Sequence, residues 1–519
     1  MRRFHVLILG LVALATAPLA AQQPVQERLD MAALARIRDE GLNHSRVDSM
    51  AQQLLDGIGS RLTASPGLRR AQEWAVGTMR GWGLVNVALE PWDSLFGRGW
   101  ERVSYSGRMI EPVMQPLRAE PMAWSGSTPR GAAVTCPVVY INIQDTTELA
   151  QYAGRVRGAC VMWQNWNPIG PEFTFAPRRI DADTLIWLAT QPVPEQPRRQ
   201  AGPPQPSEQM RQFQAVQARN AAIMRFLRRE QPAVYLISSG WTMGNLRTGG
   251  HLDGRLARDS AYEPIPQLMV THEQYGQMWR LARRGVPVRL EVNVQNRWSN
   301  PDKREYTVVG ELPGTDRAQE LVIIGAHFDS WHSGQGAVDN AAGSLAMMEA
   351  MRILRTLNLP LRRTVRIALW SGEEQGLIGS RHYVRMHAAE QPRISAYLNI
   401  DNGSGRLRGV WGERNAAAVQ VFEQILRPFA DLGVVTSNLR PTGGTDHMSF
   451  DRAGVPGFQF IQDPLEYGNR SHHSAQDTYE RLVMDDLKQA ATIVAWSVYT
   501  IANRDEMMPR KMPAPMGTN

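Results

Sequence analysis

The chain has 519 residues, 43% apolar and 21% charged, a composition that excludes a disordered chain and a length that exceeds one ordinary core, so two domains are expected. Its formal charge of +7 is diffuse: only Lys303, Lys488 and Lys511 of the 57 basic residues are lysine, and the arginines are spread along the whole length. That is a solvated surface rather than a nucleic-acid footprint, and no nucleic-acid partner is expected.

The start, Met1-Arg2-Arg3, an apolar run over 6–17 and then Pro18-Leu19-Ala20-Ala21, has the three parts of a secretory signal peptide, with cleavage after Ala21. The apolar run is too short to span a bilayer and no other stretch reaches that length, so the expectation is an exported protein, periplasmic or secreted, without a transmembrane segment. Residues 28–57 read as helical. Residues 69–82 place Ala71, Trp74, Ala75 and Met79 on one face of a second helix, which leads into a strand at 85–89.

After about residue 112 the character changes. Strands are expected at 137–141, 158–163, 233–237 and 288–294, with a mobile Pro-, Gln- and Arg-rich excursion over 191–212. The only cysteines, Cys136 and Cys160, fall in β-like segments of this region; an exported chain permits them to pair, and the sequence does not decide whether they do. His272-Glu273 opens like a zinc-protease helix, but Gly276 stands where the second His is required. No serine nucleophile elbow or phosphate loop is present.

The chemistry lies further on. The apolar run 321–326 reads as a strand buried on both faces, and His327 follows it at once. The strand-like 364–370 is followed by Glu373 and Glu374, and 396–400 runs into Asp401. Between the first two, 340–354 carries Leu345, Met348, Met351 and Leu354 on one face of a crossover helix with Asp339 at its start. In open α/β sheets, ligands bind beyond the carboxyl ends of the strands, so these residues converge on one crevice. Taken singly, a His at a strand end is an ordinary capping residue and paired Glu an ordinary helix start. Three strand ends carrying such groups, with His473 in a His-Ser-Ala-Gln-Asp-Thr segment downstream, outweigh that. Imidazole and carboxylate are the ligands of open catalytic zinc sites, and one bridging carboxylate can serve two ions.

The stretches Gly-Ala-His-Phe-Asp-Ser-Trp at 325–331, Gly-Gln-Gly-Ala-Val-Asp-Asn at 334–340, Trp-Ser-Gly-Glu-Glu-Gln-Gly at 370–376 and His-His-Ser-Ala-Gln-Asp-Thr at 472–478 resemble the M28 family of co-catalytic zinc exopeptidases. The resemblance implies a mixed, mostly parallel α/β sheet flanked by helices, with a β-rich protease-associated-like insertion. The corresponding division is a signal peptide at 1–21, peptidase segments at 22–112 and 298–509, an insertion at 113–297 and a tail at 510–519. Two Zn2+ ions are implied, bridged by Asp339, one completed by His327 and Asp401 and the other by Glu374 and His473. Glu373 is the implied general base, deprotonating a water shared by the ions. Asp329 is the implied partner that orients the His327 imidazole. His472 stands where many members carry a tyrosine, which makes it a candidate oxyanion donor and leaves open an exchange of roles with His473; 443–447 is expected to line the pocket.

The expected activity is hydrolysis of dipeptides or short peptides. The alternatives are an aminopeptidase acting on longer chains and a non-enzymatic binding protein on the same scaffold, and a homodimer is left open.

Overall fold

The computed structural model describes residues 26–143, 145–170, 179–193 and 208–511. The signal peptide read at 1–21 lies outside these residues, as do 194–207 of the Pro-rich excursion and the tail from 512. Among the described residues no helix is long and apolar enough to cross a membrane.

Two eight-stranded mixed sheets organise the chain. The first is ordered Val85–Pro91, Tyr306–Leu312, Arg363–Trp370, Arg317–His327, Ile394–Asn399, Gly457–Gln462, Leu407–Trp411, Thr436–Asn438. Its centre is parallel from Arg363–Trp370 through Gly457–Gln462. These strands are apolar on both faces because helices cover both; Ile394–Asn399 is buried along its whole length. The helix Ala342–Leu357 is buried from Ala342 to Leu354 and packs against Met484–Asn503, which is itself buried from Gln489 to Ala502. Near the N-terminus, Pro66–Gly81 starts where Ser65 accepts from the Leu68 amide and Pro66 occupies the first turn.

The second sheet is ordered Gln115–Pro116, Gly99–Glu111, Arg289–Ser299, Val134–Tyr140, Cys160–Met162, Val234–Ser238, Gln267–Val270, Ala119–Pro121. Its strands run from Gly99 to Ser299, so it begins ahead of residue 113, where the sequence reading places the boundary: Gly99–Glu111 pairs along nearly its whole length with Arg289–Ser299. Cys136 and Cys160 form a disulfide within this sheet. The excursion read over 191–212 is already helix from Glu208, the start of Glu208–Glu230. The tail read from 510 is anchored at its first residue, where Arg510 donates to the carbonyls of Gly454 and Ile394 at 2.6 and 2.9 Å.

Candidate metal centre

Register brings the candidate ligands level. His327 pairs with Trp370 across the parallel Arg317–His327 and Arg363–Trp370 strands, and Gly325 pairs with Asn399 on the other side. His327, Glu373, Glu374 and Asp401 therefore leave the sheet at one edge. Asp339 stands in the irregular turn Ala337–Ala341 that precedes the helix Ala342–Leu357, and His472 and His473 follow the turn Tyr467–Ser471.

Asp339 faces two sets of partners. Its Oδ1 lies 3.2 Å from His327 Nε2, which also lies 3.3 Å from Asp401 Oδ1. Its Oδ2 lies 3.5 Å from His473 Nε2 and 3.9 Å from His472 Nε2, and His473 Nε2 lies 2.9 Å from Glu374 Oε2. Two groups thus have the geometry to hold a cation, His327 with Asp339 and Asp401, and Asp339 with His472 and His473.

The donor set fits a metal. His327 Nδ1 sits 2.9 Å from the Asp329 carbonyl, which can only accept, so that nitrogen carries the hydrogen and Nε2 is the one that faces the two carboxylates. Asp339 Oδ2, Glu374 Oε1 and Asp401 Oδ1 are buried with no hydrogen-bond donor, an arrangement that costs free energy unless a cation neutralises it. The titration behaviour has the same cause. Burial foremost pushes Glu373 and Glu374 well above the carboxylate range, and the charges of Asp401 and Asp446 add to it for Glu373 and that of Asp339 for Glu374. Burial would also raise Asp339, but His327 and His473 hold it well below. Burial would lower His327, yet Asp401 and Glu373 hold it well above the usual histidine range.

Around this cluster is a layer of fixed partners. Arg61, fully buried, donates to the carbonyls of Phe328, Gln335 and Gly336 at 2.8, 2.7 and 2.8 Å, tying down both ends of the loop between His327 and Asp339. Gly336 has φ 64°, and a Cβ there would meet Ser330 Cβ at 2.3 Å, which explains the glycine in that loop. Asp477 accepts from the amides of Val338 and Asp339 at 2.7 and 3.2 Å, and burial foremost, with the charge of Asp339, pushes its pKa up to about 8. Asp329 holds two parts of the site. Its backbone carbonyl orients His327, while its carboxylate, 3.7 Å from that imidazole, accepts from Thr63 Oγ1 at 2.8 Å and from the amides of Glu373 and Glu374 at 3.3 and 3.4 Å. Residues 443–447 divide: Gly443 and Gly444 are exposed, whereas Thr445, Asp446 and His447 are buried beneath the site.

Sequence reasoning misses several further residues. Tyr467 lies among the carboxylates; burial foremost, then Asp339, Asp401, Glu374 and Glu373, holds its hydroxyl well above the usual tyrosine pKa. Five residues before the His pair, it is a second candidate oxyanion donor beside His472. Asn245 and Thr248 come from the second sheet's unit: Asn245 Nδ2 donates to the Arg470 carbonyl at 2.9 Å and the Thr248 amide to the His473 carbonyl at 2.8 Å. A turn-forming Thr-Met-Gly-Asn at 242–245 is the only signal for them in the sequence.

A mixed α/β sheet thus carries two groups of imidazoles and carboxylates able to hold cations at its carboxyl edge. Residues 307–498 match the model described as Peptidase family M28. It is 28% identical over 462 residues to carboxypeptidase Q of Bos taurus, covering 88% of this chain and 85% of that protein, and 26% identical over 460 residues to the Homo sapiens protein of the same name, covering 88% and 85%. Its fold resembles a peptidase M28 precursor from Shewanella amazonensis SB2B, with TM-score 0.67 at 21% identity over 93% of this chain and 99% of that one. It also resembles the zinc aminopeptidase BSAP from Bacillus subtilis, with TM-score 0.57 at 16% identity over 89% and 97%.

Proposed function

We propose that this metallopeptidase is an exported dizinc exopeptidase that hydrolyses dipeptides or short peptides. The observation that carries the reading is the two-sided Asp339, whose Oδ1 faces His327 and whose Oδ2 faces His473. His327 and Asp401 would hold one ion, Glu374 and His473 the other, and Asp339 both. Zinc bound there supplies a Lewis acid that lowers the pKa of a bound water and polarises the scissile carbonyl.

The remaining work falls to the chain. Glu373 is not one of the ligands, and its backbone is fixed by the Asp329 carboxylate. Burial, with the charges of Asp401 and Asp446, raises its proton affinity, as a general base requires. It takes the proton from the attacking water and returns it to the leaving amine. His472 and Tyr467 are placed to donate to the oxygen that gains charge. Arg61 and Asp477 keep Asp339 in place throughout.

The unit of the second sheet we read as a protease-associated-like insertion between the two peptidase segments. The Cys136–Cys160 disulfide supports an oxidising, exported setting. The binding-protein alternative requires lost ligands, and all five remain together with the base. Cleavage of longer chains uses the same metals and differs in what closes the pocket.

The test is a chelator-reversible assay against free dipeptides, N-blocked dipeptides and longer peptides. The reading expects cleavage of free dipeptides, abolished by chelation and restored by zinc. Chelator-insensitive cleavage, or cleavage of N-blocked substrates, overturns it.

A further inference from the structure

We infer that Arg247, carried by the second sheet's unit, receives the terminal carboxylate of the substrate and so favours peptides that end one residue after the scissile bond. The inference rests on the peptidase reading above and adds the residue that selects the substrate.

The backbone of 246–248 runs antiparallel to the candidate ligand loop. Arg247 faces Ser474 across an isolated bridge, the Thr248 amide donates to the His473 carbonyl at 2.8 Å and the Ala475 amide to the Leu246 carbonyl at 2.9 Å. Residues directly opposite in an antiparallel pair have Cβ atoms about 4.5–5.5 Å apart on one face, so the Arg247 side chain leaves the backbone on the face of Ser474, the residue after His473. Its guanidinium lies over the Trp241 ring at 5.2 Å. Trp241 in turn lines a cleft of about 450 Å3 between the two units, with Ile169, Met243, Gly468, Asn469 and Gln476. A cleft of that size suits a short peptide.

Neighbouring cations are committed elsewhere. Arg61 is spent on backbone carbonyls, while Arg470 and Arg481 both pair with Glu466. Among the described residues no carboxylate pairs with Arg247, which is half-buried on its aromatic platform. A guanidinium with its fork open beside a peptide-cleaving centre matches a planar anion, which it can take with two hydrogen bonds, and repels an ammonium. One residue of extended chain spans about 3.3–3.6 Å, so the carboxylate of a dipeptide lies that close to the scissile bond, and a longer substrate places a neutral amide there instead.

The experiment compares kcat/KM of the zinc-loaded protein, its R247M variant and its R247K variant on dipeptides and on the same dipeptides with C-terminal amides. The readout is the acid-to-amide ratio within each protein, so a folding or metal-loading loss common to both substrates cancels. The wild-type ratio is expected to exceed that of R247M by about 10- to 100-fold, the range of a charged hydrogen-bonded contact, with R247K in between. A ratio that survives in R247M, or a wild type indifferent to the carboxylate, overturns the inference and leaves the peptidase reading standing. A wild type that cleaves neither substrate overturns both.

Discussion

The backbone amide of Thr248 donates to the carbonyl of His473 at 2.8 Å, so the second sheet's unit is hydrogen-bonded to a candidate metal ligand. His473 needs such a hold. Its φ of 59° is left-handed, a conformation that costs a non-glycine residue about 1–2 kcal/mol. Asn245 supports the same loop through the Arg470 carbonyl. The variant Asn245→Ala is therefore expected to weaken zinc binding about 10-fold, in the range for partners that orient ligands. Competition with a chromophoric chelator measures it; an unchanged affinity contradicts the coupling.

Arg61 is the second point of support. Arg61→Met leaves the buried Phe328 carbonyl and the half-buried Gln335 carbonyl without that donor, while Gly336 keeps the Ala341 amide at 3.0 Å. A loss of about 1–3 kcal/mol is expected in denaturant unfolding, the cost of a buried unsatisfied acceptor. A variant within about 0.5 kcal/mol of wild type would remove Arg61 from the account.

The junction of the two units should be acid-sensitive. His332 is buried, its Nε2 2.7 Å from the Pro121 carbonyl and its Nδ1 without a partner, and burial pushes its pKa down to about 4. The folded value lies below the unfolded one, so this residue's contribution is complete above about pH 6.5 and is lost as pH falls toward 4. The contribution is at most about 3 kcal/mol. Thermal melts between pH 7.5 and 4.5 should show a shallower pH dependence for His332→Gln than for wild type; parallel curves would place the acid sensitivity elsewhere.

His472 and His473 are separable. His473 Nε2 is 2.9 Å from Glu374 Oε2, whereas the nearest carboxylate oxygen to His472 Nε2 is Asp339 Oδ2 at 3.9 Å. His473→Ala should lose one zinc per chain by elemental analysis. His472→Ala should keep both and lose kcat about 100-fold, as for an oxyanion donor. The reverse metal contents would exchange their roles.

What the sequence discloses follows from how each residue is held. His327, Glu374 and Asp401 are legible because each ends a strand, and parallel pairing such as His327 with Trp370 makes the strand ends meet. Arg61 is one arginine among many, and its acceptors are backbone carbonyls 267 to 275 positions away, which no residue type announces. Thr248 is hidden for the same reason, since a main-chain amide does its work. Asp329 is legible as the partner of His327, whereas the hold of its carboxylate on Thr63 and on the Glu373 and Glu374 amides is not, because those partners are set by the fold. The second sheet's early start is missed because Gly99–Glu111 reveals its allegiance only by pairing with Arg289–Ser299.

The central claim is that Glu373 moves the proton while its neighbours hold the metal, and one variant tests it. Purified Glu373→Gln should contain two zinc ions per chain, as wild type should, with kcat on a free dipeptide reduced about 10²- to 10⁴-fold, the contribution of a positioned general base. Zinc lost in step with activity, or activity retained at full zinc content, would contradict the account.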